Sequence, residues 1–575
     1  MITCGVKLTH DGGVALVDNG RLIFSIEMEK LNDAERHSKI TDLGQVFDIL
    51  ADNGYDSRDV DKFVFDGWRR TFKTSRLFHE EVEVNLAPYR RGILGNNPLQ
   101  EYRFKVWDLP YSSFCHYSGH LLGSYCASPF AAAGKPSWII VWDGAMFPCL
   151  YYADPAANNV QSISTICPLI GNAYHEMALR VPPFDTGIQF PDTLAVPGKI
   201  MALIARGQVD ERLLARCDDA YKRVCALVID SRRSHDDFYW QEPLGHQLLQ
   251  QLLSRIDFHD IAPEDVLATW HEFIWRTFHA ALAALLKQQT RQCGDLVFCG
   301  GCALNIKWNR RLRTCGLFDS VWVPPFPNDS GAALGAAVCG WVADGGLAPL
   351  EWSVYSGPEL VLKGPPPGWS GASCAIAEVA DLLHLTGEPV VILNGRAELG
   401  PRALGNRSII APATSTAMKS HLNVIKRREG YRPVAPICIE DLAAEFFLID
   451  RPDPYMSFEW DVQPGWKNRI PAVLHEDGTA RVQTVNKRQN STISDLLHRY
   501  SAISGLAVLC NTSANSAGRG FFASDESAMR WGGTNYVWAG GIMFSRKNRI
   551  AFPELEKRDG ILAADECVDE SWVKA

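Results

Sequence analysis

Two histidines, His116 and His120, stand four residues apart in the stretch SSFCHYSGHLLGSYCASPF (112–130). On a helix that spacing projects both imidazoles from one face, as a metal site requires. A cap on Ser112 or Ser113 is expected to start the helix, and Pro129 to end it. Gly119 and Gly123 each cost such a helix about 1 kcal/mol against alanine. Their presence implies that another backbone comes close there. The pair alone serves equally well as two core histidines, so the rest of the chain has to supply the context.

Four other points set Gly beside an acidic or polar side chain where a strand ends or a helix begins. ITCGVKLTHDGGVALVDNGRL turns at Asn19-Gly20, a strong hairpin signal. Its Gly12-Gly13 step is expected to bring the backbone against a phosphate. SWIIVWDGA breaks at Asp143-Gly144, and DLVFCGGCALN runs from strand through a Gly-Gly turn into helix. NDSGAALGAAVCGW puts Asp329-Ser330-Gly331 at the mouth of a small-residue helix. Backbone N–H groups at such points suit phosphates, and carboxylates suit a cation. Together they imply a two-lobed ATP-binding domain over 1–350. A Pro- and Gly-rich strap follows over 347–370. The second domain, 371–575, carries Arg402, Arg407, Lys426, Arg428, Arg432 and Arg481 in Gly/Pro-shaped loops after strands. That arrangement suits a compact, planar anion better than a solvated basic face.

Composition bounds the function. The 575 residues are 46% hydrophobic and 21% charged, with a net charge of −9 and no long Lys/Arg run. Nucleic acid and anionic membranes are therefore not expected partners. The 16 cysteines are scattered, and Cys299 and Cys302 form a lone CxxC, read as reduced structural thiols. A signal peptide and an apolar run of ~20 residues are both missing, so a cytoplasmic location is expected.

The motifs resemble, in order and over nearly the whole chain, those of the natural-product O-carbamoyltransferases, the group that includes the hydroxymethylcephem, nebramycin and nodulation-factor enzymes. The resemblance rests on THDGGVALVDNGRL, CHYSGHLLGSYCASPF, VPGKIMALIARG, GGCALN and NDSGAALGAA, then GRAELGPRALGNRSI, KRREGYRPVAP, HEDGTARVQTV and CNTSAN. Ala514, the GRG of 518–520 and the loop IAPATST depart from the pattern and bear on loop shape and acceptor choice.

What the resemblance implies is an α/β chain in two parts. The first is an actin-like, two-lobed ATPase domain similar to that of the tRNA threonylcarbamoyl-transferring protein. The second is a YrdC-like α/β domain, similar to that pathway's carbamoyl-adenylate-forming partner. ATP and carbamoyl phosphate would give carbamoyl-adenylate, and the carbamoyl group would pass to a hydroxyl acceptor. His116, His120, Asp143 and Asp329 would ligate a divalent metal, with Fe2+ favoured and Mn2+ or Mg2+ as alternatives. Gly300, Gly301, Asn305 and Asp329 would line the nucleotide. Lys39 would reach an ATP phosphate, or is a surface lysine. His10 would be the general base for the acceptor hydroxyl. Arg402, Lys426, Arg432 and Arg481 would clamp carbamoyl phosphate, with Asn511 and Ser513 at its carbamoyl end. Because free carbamate decomposes in water, the two sites should share a dry passage across a large interface. A tRNA-modifying enzyme, an HxxxH protease and a non-catalytic ATP-binding module are the rival readings. The acidic balance opposes the first, and the lack of an HExxH glutamate opposes the second.

Overall fold

The computed structural model describes residues 1–547 apart from 32, 78, 90–96 and 231–240. The end of the expected second domain, from 548 on, lies outside the described residues. Three large sheets carry the architecture.

The first sheet orders its strands Arg21–Glu27, Gly13–Asp18, Ile2–Lys7, Lys62–Asp66, Leu109–Phe114 and Tyr102–Val106. The second runs Asn159–Thr165, Cys149–Asp154, Ser137–Val141, Asp295–Cys299 and Ser320–Trp322. Each begins as a three-stranded antiparallel meander whose first strand pairs in parallel with one later strand, which in turn pairs in parallel with another. One pattern is thus built twice. The expected turn is present, with Asn19 at φ 46° and Gly20 at φ 80°, a pair of left-handed residues that matches hairpin twist.

Helices His116–Cys126 and Ala332–Gly345 pack on each other between these sheets. The costly glycines are explained there. A Cβ on Gly335 would lie 2.4 Å from the Gly119 carbonyl oxygen, and one on Gly123 would lie 2.9 Å from the Gly335 Cα. The expected cap was wrong. Ser112 and Ser113 end the strand Leu109–Phe114, and the helix starts after Cys115 without a side-chain cap. The Ser113 hydroxyl instead accepts from the Ala87 amide at 2.8 Å. The Gly12 expectation also changes. The Gly12 N–H donates to the Ser38 carbonyl at 2.8 Å, and a Cβ there would meet Ile40 N at 2.8 Å. The close approach is to the chain's own backbone.

The third sheet has eight strands, ordered Trp369–Ser373, Ile542–Arg546, Tyr536–Ala539, Val390–Leu393, Arg407–Pro412, Val508–Ser513, Ala435–Ile439 and Gln483–Val485. The strap binds both neighbours through its backbone: Ser25 N–H donates to Ser356, and Gly357 N–H to Ala397. Buried Lys30 pins the loops together, its ammonium donating to Glu27 Oε1 at 2.6 Å, to the Glu398 carbonyl at 2.6 Å and to the Gly400 carbonyl at 2.8 Å. At Gly400 a Cβ would lie 2.0 Å from the Pro325 oxygen, and at Gly520 1.7 Å from that of Glu29. Backbone therefore meets backbone where the two halves join. No helix among the described residues is long and apolar enough to cross a membrane.

Candidate active site

Asp66 ends the strand Lys62–Asp66, Asp143 follows the strand Ser137–Val141, and Asp329 opens the turn into Ala332–Gly345. The carboxyl ends of buried parallel strands and a helix mouth thus deliver carboxylates to one point, where His116 and His120 project. His116 Nε2 lies 3.1 Å from His120 Nε2, 3.2 Å from Asp329 Oδ1 and 3.9 Å from Asp143 Oδ2. All four side chains are buried, and their ligand atoms fall within 4.8 Å of one another. Donors bound about 2.1 Å from an ion stand roughly 3.0–3.4 Å apart in octahedral or tetrahedral sets, so the spacing fits. His116 Nδ1 sits 2.7 Å from Asp66 Oδ2. Its Nδ1–H donates there and fixes the ring so that Nε2 faces the cluster, where it would ligate a cation once its own proton is displaced.

Charge is balanced inside this cluster. The Lys7 ammonium, 1% exposed, lies 3.0 Å from Asp66 Oδ2 and 3.0 Å from Asp329 Oδ2. Burial alone would lower its pKa, but Asp329 and Asp66 outweigh burial and raise it. Burial likewise opposes the charged forms of Asp329 and His116. Lys7 and His116 nevertheless hold Asp329 well below its usual range, and Asp66 and Asp329 hold His116 at about 10. Tyr89 donates its hydroxyl to Asp143 Oδ2, and the Gly301 amide donates to Asp143 Oδ1 at 2.7 Å.

Beside the cluster, His10 occupies the tip of the first hairpin. Its Nδ1 is 2.8 Å from Asp11 Oδ2 and its Nε2 3.5 Å from Asp329 Oδ2. Asp11 also holds His37 Nδ1 at 2.8 Å. A carboxylate on Nδ1 orients an imidazole and leaves Nε2 able to take a proton. Trp68 and Phe190 stand edge-on to the ring at 5.3 and 5.5 Å.

A single cavity of about 1030 Å³ joins this region to the third sheet, lined at one end by His10, Asp143 and Asp329 and at the other by Arg402, Arg432 and Arg481. Arg428, Asn511 and Ser513 line it as well. Here charge is unbalanced. Among the described residues no carboxylate lies within 4 Å of Arg402 or Arg481, and Arg481 Nε has no hydrogen-bond partner. Arg432 approaches Glu429 only at 3.9 Å. Burial and the neighbouring guanidiniums push Arg402 down to about 10 and Arg428 to about 9, and pull Arg481 down too. Asn511 is locked: its amide N–H groups donate to the Ala403 carbonyl at 3.0 Å and to Gln483 Oε1 at 2.8 Å, and Gln483 itself donates to Leu404. Its Oδ1 is left unpartnered.

Against known proteins, residues 2–338 match the model for the carbamoyltransferase N-terminus, and 380–540 match that for the carbamoyltransferase C-terminus. The chain belongs to the carbamoyltransferase family. It is 42% identical to nodulation protein U of Rhizobium tropici over 96% of this chain and 97% of that one. It is 30% identical to the 3'-hydroxymethylcephem-O-carbamoyltransferase of Streptomyces clavuligerus, covering 92% of this chain and 96% of that one. Full-length HypF in its phosphate- and nucleotide-bound form overlaps 60% of this chain and 56% of its own at 15% identity and a TM-score of 0.32, too slight a likeness to bear on the fold. The activity class is carbamoyl transfer.

Not every expected residue faces the carbamoyltransferase cavity. Gly301, Asn305 and Asp329 line it; Gly300, exposed Lys39 and the buried His116 and His120 do not. The Asn305 side-chain Oδ1 caps the helix that follows, accepting from the Lys307 and Trp308 amides, both at 3.2 Å, and its Nδ2 is unpartnered. Lys426 lies beneath the wall, its ammonium donating to the Ser513 carbonyl at 2.6 Å and the Asn515 carbonyl at 2.7 Å. It positions two lining residues from behind. Arg407 is fully enclosed by carbonyls of Asn394, Gly395, Asn406 and Pro358, so it shapes the loop instead of holding an anion.

Lys7, Asp66, Asp11 and His37 escaped the sequence reading. For Lys7 and Asp66 the available signal was a charge closing an apolar strand, in ITCGVK and KFVFD. Ligands gather at the carboxyl ends of such strands.

Proposed function

We propose that this carbamoyltransferase uses ATP and carbamoyl phosphate to form carbamoyl-adenylate and carbamoylates a hydroxyl of a secondary metabolite. The observation that carries the reading is the one cavity lined at one end by His10 and by Asp143 and Asp329 of the buried His/Asp donor set, and at the other by uncompensated arginines. The doubled meander-plus-parallel pattern supports an actin-like, two-lobed ATPase domain over 1–350, and the mixed eight-stranded sheet supports a YrdC-like domain from 371.

At the clamp, Arg402, Arg432 and Arg481 hold the phosphate, with Asn511 and Ser513 at the carbamoyl end. Water releases inorganic phosphate and leaves carbamate. A carbamate oxygen then attacks the α-phosphorus of ATP and pyrophosphate departs. Gly301 and Asn305 line the nucleotide. The acceptor oxygen attacks the carbamoyl carbon, its proton passes to His10 Nε2, and AMP leaves. His116, His120, Asp143 and Asp329 would hold a divalent ion, for which their mixed N/O donors are suited; the family resemblance favours Fe2+, with Mn2+ or Mg2+ as alternatives. Such an ion supplies Lewis-acid charge for phosphate oxygens. Lys7 and Asp66 orient this donor set, and the Lys30 seam between the halves excludes water. The test is pyrophosphate release from ATP. It should require carbamoyl phosphate, and pyrophosphate formed equally well without it would sink the reading.

A further inference from the structure

His475, in the HEDGTARVQ stretch, has no part in the steps above. Its Nδ1 lies 2.9 Å from Thr479 Oγ1. That hydroxyl lies 2.6 Å from Asp477 Oδ1 and 2.9 Å from Glu459 Oε1. A threonine hydroxyl has one proton, and two carboxylates compete for it. Only its lone pairs remain for the imidazole, so the Nδ1–H of His475 donates to Thr479. Nε2 then carries a lone pair and is an acceptor. It is buried with no partner among the described residues, on a side chain 10% exposed that lines the cavity. Burial keeps the ring neutral by lowering its pKa. A buried acceptor left so is costly, and a ligand's donor would recover that cost.

The location narrows the donor. Glu459 and Asp477 hold the Lys307 ammonium at 2.6 and 2.7 Å, on the helix that Asn305 caps. Both carboxylates are therefore already engaged by Lys307, and Arg310 stands 3.9 Å from Glu459, so a metal ion there would have to compete with Lys307. On the other side Glu476 pairs with Arg206, whose guanidinium lies 5.3 Å from the ring of Tyr431, next to Arg432. His475 thus lies between the nucleotide end and the clamp, on a wall otherwise rich in cationic donors. Donors suit phosphate and carboxylate; an acceptor suits N–H. Carbamate presents both, a carboxylate for arginine and an amide N–H2 for a lone pair.

We infer that His475 is a positioning residue on the passage, its Nε2 accepting an N–H of carbamate as carbamate moves from clamp to nucleotide. The inference rests on the two-step reading above. Carbamate that is not held there escapes and decomposes, so the effect is a loss of coupling.

The experiment is a single turnover with full-length enzyme in excess over carbamoyl phosphate, with ATP and divalent metal present, measuring pyrophosphate formed per inorganic phosphate released. The wild type should give a ratio near unity. His475→Leu should lower the ratio about tenfold, the cost of one lost buried hydrogen bond. His475→Gln, which keeps an acceptor oxygen, should restore most of it. An unchanged ratio in His475→Leu would overturn the inference, as would a Gln variant no better coupled than Leu. A raised KM for ATP at an unchanged ratio would make adenine the donor and overturn it too. A second equivalent of bound metal lost in His475→Leu would make His475 a ligand. If the wild type forms pyrophosphate without carbamoyl phosphate, the two-step reading itself fails, and that result is distinguishable from all of these.

Discussion

The two ends of the cavity solve opposite electrostatic problems. Around His116 every buried charge has a partner: Lys7 faces Asp66 and Asp329, and Asp66 also takes the His116 N–H. Around Arg481 buried cations face one another, and the neighbouring guanidiniums lower one another's pKa. Burying a charge is costly unless it is paired. The first end is therefore organised before any small ligand arrives, while the second carries a deficit that an anion must fill. One end is built to hold a fixed geometry for chemistry, and the other to capture and release.

The widest separation between the ends should come from His10→Asn. Losing a positioned base costs transfer to the acceptor about 10²–10⁴-fold. Carbamoyl-adenylate formation needs no deprotonated alcohol, so it should persist and the adenylate should accumulate on the enzyme. Rapid-quench analysis with a hydroxyl acceptor checks this, and a variant that transfers at the wild-type rate would remove His10 from the chemistry.

The converse is Arg481→Ala. A buried charge-assisted clamp lost from the far end should cut pyrophosphate formation driven by carbamoyl phosphate by about 10²–10³-fold. Transfer from supplied carbamoyl-adenylate should stay within a few-fold of wild type. Equal loss with both donors would mean that the arginines serve the near end and that the comparison is wrong.

A smaller effect should follow from Asp66→Asn. Weakening the carboxylate that fixes the His116 tautomer typically costs 10–100-fold in metal affinity. Equilibrium dialysis with Fe2+ or Mn2+ reads it, and undiminished affinity would make Asp66 a partner of Lys7 only.

How much of this could be read from the chain differs between the two ends. The family motifs and the convergence of His116 and His120 were legible because side-chain direction on a helix is local. The glycine pair also signalled truly: Gly119 and Gly123 do meet another backbone, that of Gly335. The same logic failed at Gly12, where the close neighbour is the 38–40 segment instead of a ligand. Arg407 and Lys426 looked like clamp residues because a sequence shows charge and not direction. Both turn away to satisfy carbonyls. Lys7 and Asp66 were hidden because each is a lone charge in an apolar strand, and their pairing exists only once the strands Ile2–Lys7 and Lys62–Asp66 lie side by side.

The smallest expected effect is on stability, and it has opposite signs at the two ends. Arg481 is buried beside Arg402 and Arg432 with no carboxylate partner within 4 Å among the described residues. Arg481→Met keeps most of the side-chain volume while removing both the desolvation cost and the repulsion. In phosphate-free buffer it should therefore leave the protein unchanged or stabilise it by about 1 kcal/mol, the low end for replacing a buried charge by a packed apolar group. Lys7→Met is the same chemical change at the balanced end. It leaves the two carboxylates of Asp66 and Asp329 to share His116 and should cost about 3–5 kcal/mol. Inorganic phosphate sharpens the contrast. At 100 times its Kd it should stabilise the wild type by about 2.7 kcal/mol, because it binds only the folded clamp, and Arg481→Met should gain far less. Thermal scans at one fixed rate, with and without phosphate, make all three comparisons. If Arg481→Met loses as much stability as Lys7→Met without phosphate, its guanidinium has a structural partner, and the clamp is not the uncompensated end.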